Sequence, residues 1–291
     1  MPLKVYVPAY PAGDFRAMPA LGGGHAVLKW VTSFPGNPAR GLPTAGGLVL
    51  LSNAEDGQLV AILDAAAVTW LRTGAAAVLA AETLGRNDAE TAAVVGAGVN
   101  GTAAARTFIA RGRSVSLFDV DSARAQEAAA DLGAAVAGSL DEALSADLVV
   151  TVTPGHEPVI GEGRLRPGQH VSLMGADGPG KAEIAAAELL RTRVFCDDWE
   201  QGSTEGTVRL FCDDWTQASH GGELATAVKD GLVTREQVTD LGAVLAGEAP
   251  GRQDGTDVTL FDSTGLAIQD LAIALAALEG ADQLDLLTLD L

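Results

Sequence analysis

Cysteine is nearly absent from this chain, with only Cys196 and Cys212 among 291 residues. A disulfide-stapled small fold is thereby excluded, and stability must come from apolar packing. Lysine is almost as scarce, confined to Lys4, Lys29, Lys181 and Lys229. Basic residues number 19 against 38 acidic ones, a net charge of -19. That balance repels phosphate backbones and anionic lipid, so no nucleic acid and no membrane partner is expected. No stretch of about 20 apolar residues escapes charge or glycine, and no basic, apolar and small-residue leader opens the chain. A cytoplasmic location is the expectation. The acidic, lysine-poor composition suits a high-salt cytoplasm, and the Arg-over-Lys usage of a GC-rich genome gives the same look; both stay open.

What is present is a 47 % apolar chain long enough for two domains. Its middle alternates strand-like runs with Ala-rich helical stretches, the pattern of a parallel sheet covered by helices. The spacing predicts strand TAAVV (91–95), helix 99–111, strand SVSLF (114–118), helix 122–132, a short strand at 134–137 and strand DLVVTV (147–152). Strand QHVSLM (169–174), helix 181–190 and strand RVFC (193–196) follow. Residues 1–52 differ, being rich in Gly and Pro with short β-like runs LKVYV, HAVLKWV and GGLVLL, before a helix from about Val68 to Leu84. Near the end, VTLFD (258–262) precedes an apolar helix for which Ser263 or Thr264 is a natural N-cap. The fold class expected is α/β: a Rossmann-type doubly wound parallel sheet (76–262) inserted in a smaller, mostly antiparallel domain (1–75 plus 263–291).

After TAAVV comes Gly96-Ala97-Gly98-Val99-Asn100-Gly101, a G-x-G-x-x-G with its strand before it and its helix after it. The first Gly permits the tight turn, the second lets a pyrophosphate approach the backbone, and the third lets helix and strand pack closely. Asp119 ends the next strand, where a carboxylate accepts hydrogen bonds from a ribose 2′-OH and repels a 2′-phosphate. The cofactor read from this pattern is NAD; a solvated strand-end Asp and a cofactor-free domain are the plainer alternatives.

Several segments resemble the ornithine cyclodeaminase/mu-crystallin family, and within it the archaeal-type alanine dehydrogenases: LKWVTSFPGNPARGLPTAGGLVLL (28–51), AILDAAAVTWLRTGAAAVLAA (61–81), GADGPGKAE (175–183), DDWTQASHGGEL (213–224) and TLFDSTGLAIQD (259–270). They follow the family's order over nearly the whole chain. The resemblance implies an NAD-dependent amino-acid dehydrogenase or imine reductase acting on a small, alanine-like L-amino acid. It implies too that the antiparallel domain binds substrate and forms a homodimer. An ornithine or lysine cyclodeaminase and a non-catalytic dinucleotide-binding protein are the alternatives.

Residue roles follow from the resemblance together with the chemistry. Arg72 sits among apolar neighbours in a helix, where a buried guanidinium needs an anion; its planar fork suits an α-carboxylate, or an internal Asp. Lys29 lies inside an apolar strand, where burial lowers its pKa and allows proton exchange near neutrality; a lysine snorkelling from a strand edge is the alternative. Asp177 follows strand QHVSLM at the end where open α/β sheets place ligands, and the family's acid/base carboxylate matches it. Lys181 matches a site-supporting lysine and Thr44 a neighbour of Lys29, although Asp177 and Lys181 also read as turn and surface residues. Thr153, Ser263 and Thr264 are placed to meet the nicotinamide end of the cofactor. The four histidines, His25, His156, His170 and His220, show no metal-ligand spacing and most of them read as surface or loop residues, and no metal is expected. The resemblance implies a longer N-terminal segment with a further substrate-clamping arginine, and the expectation from the given sequence is that this segment is absent; neither Arg16 nor Arg40 is assignable in its place.

One repeat stands apart. Residues 192–207 and 208–223 match at nine of sixteen positions, carrying both cysteines in two FCDDW copies. A metal site needs no matching Phe, Trp and Gln, whereas a tandem duplication copies everything. One copy is expected to be the native strand and the other an inserted loop or added edge strand.

Overall fold

The β-like runs of the first 64 residues form five strands, β1 (Val5–Ala9), β2 (Gly13–Gly22), β3 (His25–Ser33), β4 (Ala45–Asn53) and β5 (Leu59–Asp64), paired antiparallel in that order. The computed structural model describes all residues except 1, 3, 10, 155–156, 177–180, 191–207, 213, 215–216, 218–221 and 289–291. It falls into two units, Met1–Arg72 with Leu266–Leu291, and Thr73–Gly265. Helix α1 (Ala65–Leu84) begins in the first and continues in the second.

In the first unit, Gly23 and Gly24 turn β2 into β3 with φ of 55° and 74°, the pair of left-handed residues that a two-residue hairpin loop demands. Strand β2, which carries Pro19, is not among the β-like runs expected from the sequence. Pro19 is tolerated since the β1–β2 pairs end at Val5↔Ala17, and its missing N–H leaves no ladder bond unmade there. One face of the sheet (Met18, Ala20, Val27, Val49, Leu51) packs against Ala65 and Val68 of α1 and Ala267, Leu271 and Ala274 of the last helix, α8 (Ala267–Glu279). The other face leaves Leu28, Trp30, Leu48 and Ile62 exposed. Neither Ser263 nor Thr264 caps α8: Leu266 holds that position and its N–H donates to Gln269 Oε1. Both hydroxyl residues are instead buried at the end of the preceding strand.

Among its described residues the second unit holds eight parallel strands: β6 (Ala92–Val95), β7 (Val115–Phe118), β8 (Ala135–Val136), β9 (Leu148–Thr151), β10 (His170–Leu173), β11 (Val208–Cys212), β12 (Val238–Asp240) and β13 (Val258–Asp262). Their order is β12-β11-β13-β10-β9-β6-β7-β8. The chain leaves β6 in one direction for β7 and β8, then returns to build outward from β9, so the sheet is doubly wound with its switch point between β6 and β9. Both faces are covered, and alternate residues show it. Ala93, Val95 and Val149 enter one core with Leu189 and Leu224, while Ala92, Val94, Leu148 and Val150 enter another with Ala77, Leu84, Ala104 and Phe108. This is why these strands read as continuous apolar runs.

Two expectations are corrected here, and a third is narrowed to one of the two copies. The helix predicted from 181 begins only at Ala186, as α5 (Ala186–Leu190); upstream, Ile184 bridges to Ile160 and Glu183 turns into the interior. His170 is no surface residue: it is fully buried in a central strand, with Nδ1 2.8 Å from Thr259 Oγ1 and Nε2 3.0 Å from Ser172 Oγ. The second FCDDW copy supplies β11, an interior strand between β13 and β12. Cys212 is buried there and its thiol donates to Asp240 Oδ1 at 3.4 Å; the first copy, with Cys196, lies outside the described residues. No described helix is long and apolar enough to cross a membrane.

Candidate functional site

The glycine loop joins β6 to α2 (Val99–Ala110), and each glycine has its own reason. Gly96 has φ of 104° and a Cβ there would lie 2.3 Å from Val152 O, against the segment that follows β9. A Cβ on Gly101 would lie 1.7 Å from Gly96 O. Gly98 has nothing within 4 Å of a Cβ, so its bareness faces open space rather than packing. No side chain caps α2, and its first N–H groups and dipole suit a phosphate. Beside the loop, Asp119 accepts from Ala97 N–H at 2.8 Å through Oδ2 and from Asp121 N–H at 2.9 Å through Oδ1. Its carboxylate is thus held against the loop, with Arg124 Nη1 also 3.5 Å from both oxygens. These residues fit a dinucleotide.

Across the switch point, a buried carboxylate that the sequence did not advertise ties two strand ends together. Glu183 accepts from Thr151 Oγ1 at 2.8 Å and from the N–H groups of Thr153, Met174 and Gly175. Its own N–H donates to Glu223 Oε1 at 2.6 Å. Burial pushes the Glu183 carboxyl up against the pull of these donors. Burial, with the neighbouring Asp262 and Glu183 charges, pushes Glu223 up to about 9. Thr153 is therefore fixed where the crevice opens, and Ser263 continues from β13 with its N–H donating to Leu173 O. Thr264 follows, buried.

In the first unit, Lys29 on β3 is 1 % exposed. Its Nζ donates to Asp270 Oδ1 at 2.7 Å and to Thr69 Oγ1 at 3.1 Å. Burial, then the Arg72 guanidinium, pushes its pKa down to about 8 against the pull of Asp270. Arg72 Nε stands 3.8 Å from the same Oδ1, beyond hydrogen-bond length, and is buried without a partner, as is Asp270 Oδ2. Asp270 escaped sequence reasoning, although one acid in the apolar run LAIQDLAIAL was a signal of a buried partner.

Among the remaining candidates, Lys181 is half-buried and Thr44 is exposed, its carbonyl accepting from Phe34 N–H. Thr44 lies just before β4 and five residues from Val49, the partner of Lys29, roughly 16 Å for extended chain. Asp177 lies outside the described residues. Arg16 is bonded to Asp14 at 2.7 Å and Arg40 is exposed. Among the described residues no group of His, Cys, Asp and Glu could hold a metal.

The alanine dehydrogenase of Archaeoglobus fulgidus is 39 % identical over 97 % of this chain and 84 % of its own. A solved archaeal alanine dehydrogenase dimer with bound NAD matches with a TM-score of 0.88 at 37 % identity, covering 99 % of this chain and 87 % of that one. The Thermococcus litoralis Δ(1)-pyrroline-2-carboxylate reductase, in complex with NADH and L-proline, matches with a TM-score of 0.84 at 25 % identity over 97 % and 87 % of the two chains. The ornithine cyclodeaminase/mu-crystallin family model matches residues 1–283, and the chain belongs to that family.

Proposed function

We propose that this chain is an NAD-dependent oxidoreductase that interconverts a small, alanine-like L-amino acid and its 2-oxo or imino acid. The observation that carries the reading is a buried lysine beside an arginine whose Nε has no hydrogen-bond partner: among the described residues two cations, Lys29 and Arg72, share the one carboxylate of Asp270, a positive excess that a substrate carboxylate would balance. The relatives named above, an alanine dehydrogenase with NAD and a pyrroline carboxylate reductase with NADH, support the choice of chemistry.

Arg72 takes the α-carboxylate through its planar fork. Lys29, with its pKa pushed down to about 8, stays charged enough at neutrality to bind substrate oxygen and exchanges a proton there. Asp177 takes the proton of the water that adds to the imino acid, after which ammonia leaves and the 2-oxo acid remains. NAD, when bound by Gly96, Ala97, Gly98, Val99, Asn100, Gly101, Asp119, Thr153, Ser263 and Thr264, supplies the hydride acceptor for the substrate α-carbon. Lys181 supports the substrate end, and Thr44 is retained as a substrate contact on the resemblance alone. A cyclodeaminase would need a carboxylate for a second amine, and in the Lys29 cluster Asp270 is already bonded to Lys29.

The exposed row of Leu28, Trp30, Leu48 and Ile62 is the proposed homodimer face, in keeping with the dimeric relative. The test of function is incubation with NAD and single amino acids, following NADH absorbance and products. Net NADH with alanine is expected, with loss of turnover and retention of NAD binding in Asp177→Asn. Proline from ornithine without net NADH would replace this reading with a cyclodeaminase, and binding without turnover would replace it with a non-catalytic protein.

A further inference from the structure

Three donors sit on the Lys29 ammonium and two are already committed. Asp270 Oδ1 takes one at 2.7 Å and Thr69 Oγ1 another at 3.1 Å. The Thr69 hydroxyl sends its own proton to Ala65 O at 2.6 Å, so its oxygen meets Lys29 as an acceptor. Asp270 comes from the first turn of α8 and is fully buried, where the helix dipole favours its charge. The strand neighbours of Lys29, Met18 on β2 and Val49 on β4, are apolar and offer the ammonium nothing. Among the described residues the charged groups acting on it are Arg72 of α1, Asp270 of α8 and Lys4 near β1; both cations work against its charge and Asp270 favours it. An ion pair of this depth is costly to build, and breaking one partner leaves a buried charge uncompensated.

We infer that Asp270, with Thr69 as its second, is the positioning residue for Lys29: the two acceptors fix the direction of the ammonium, keep it charged and leave one N–H for the substrate. The inference rests on the reading above that Lys29 meets the amino acid. Asp270 acts through Lys29 and its partnerless Oδ2 is not needed for that role.

The scarcity of lysine makes the test direct. With 13Cε-lysine labelling, the chain's four lysines give four signals, and Lys29→Met identifies that of Lys29. In the wild type that signal should titrate near 8. In Asp270→Asn, which keeps the shape and loses the charge, the midpoint should fall by about one pH unit or more. Asp270→Glu should restore it toward the wild type, and Thr69→Val should lower it by less than Asp270→Asn. Turnover gives a second readout: the alkaline limb of kcat/KM for the amino acid should move to lower pH with the Lys29 midpoint in Asp270→Asn, and KM should rise. An unchanged Lys29 midpoint in Asp270→Asn, or in Thr69→Val should the first variant not fold, overturns the inference. The titration needs neither substrate nor cofactor, so an absence of amino-acid turnover defeats the functional reading while the midpoint still judges Asp270.

Discussion

Adding one methyl group at Gly98 and at Gly101 separates cofactor binding from folding. At Gly101 the new Cβ would sit 1.7 Å from Gly96 O, so α2 and the loop must part by roughly 1.5 Å to reach ordinary contact. Overpacking of that kind costs about 1–3 kcal/mol, which for a domain of this size lowers Tm by about 2–12 °C. At Gly98 nothing lies within 4 Å, and the backbone is extended with φ of -73°, open to any residue. The cost there is the poorer cap that alanine makes, about 1 kcal/mol or less. The methyl group would enter the space assigned to the pyrophosphate, and losing that approach should weaken NAD at least tenfold, about 1.4 kcal/mol. Differential scanning calorimetry and titration with NADH, followed by energy transfer from tryptophan, read the two effects separately. Gly98→Ala with wild-type NAD affinity would refute the phosphate cradle. Gly101→Ala with wild-type Tm would refute the packing argument.

Further tests reach other parts of the molecule. Burial and the Arg252 guanidinium push the His170 imidazole down to about 3, so between that value and about 6.5 the unfolded chain binds the extra proton. Stability carried by His170 is therefore complete above about 6.5 and falls by up to about 1.4 kcal/mol per pH unit below it; urea titrations of wild type and His170→Asn should show the slope weakened in the variant, and equal slopes would contradict this. Glu183→Ala strands four donors at the strand ends, at about 1–3 kcal/mol for a buried unsatisfied group, so Tm should fall by at least about 6 °C; a shift below 2 °C would show that water or a neighbour replaces the carboxylate. Trp30→Asp places a charge in the exposed apolar row and should convert dimer to monomer in sedimentation velocity, whereas an intact dimer would put the interface elsewhere.

The parallel strands were legible because both faces are buried, which writes runs such as AAVV and LVVT into the sequence, and the glycine loop was legible because backbone approach admits few substitutes for glycine. The misreadings arose where a side chain answers to partners far along the chain. Lys29 and Asp270 lie 241 residues apart and meet at 2.7 Å, so neither predicts the other locally. KAEIAAAELL has the composition of a helix, yet Glu183 is drawn inward to the ends of β9 and β10, and the helix starts only afterwards. His170 fell inside the expected strand QHVSLM, but its burial was not legible from a polar side chain; Thr259 and Ser172 give its ring partners inside the sheet. Which of the two FCDDW copies enters the sheet was not legible, since both carry the same residues; the second lies in an interior strand because β12 (Val238–Asp240) adds beyond it.

The central claim is that a hydride passes from the amino-acid α-carbon to NAD. Alanine carrying deuterium at that carbon, incubated with the protein and NAD, tests it when the reduced cofactor is weighed by mass spectrometry. One deuterium per NADH formed, with pyruvate and ammonia in equal amounts, is the predicted result; unlabelled NADH, or no NADH from a protein that binds NAD, would contradict it.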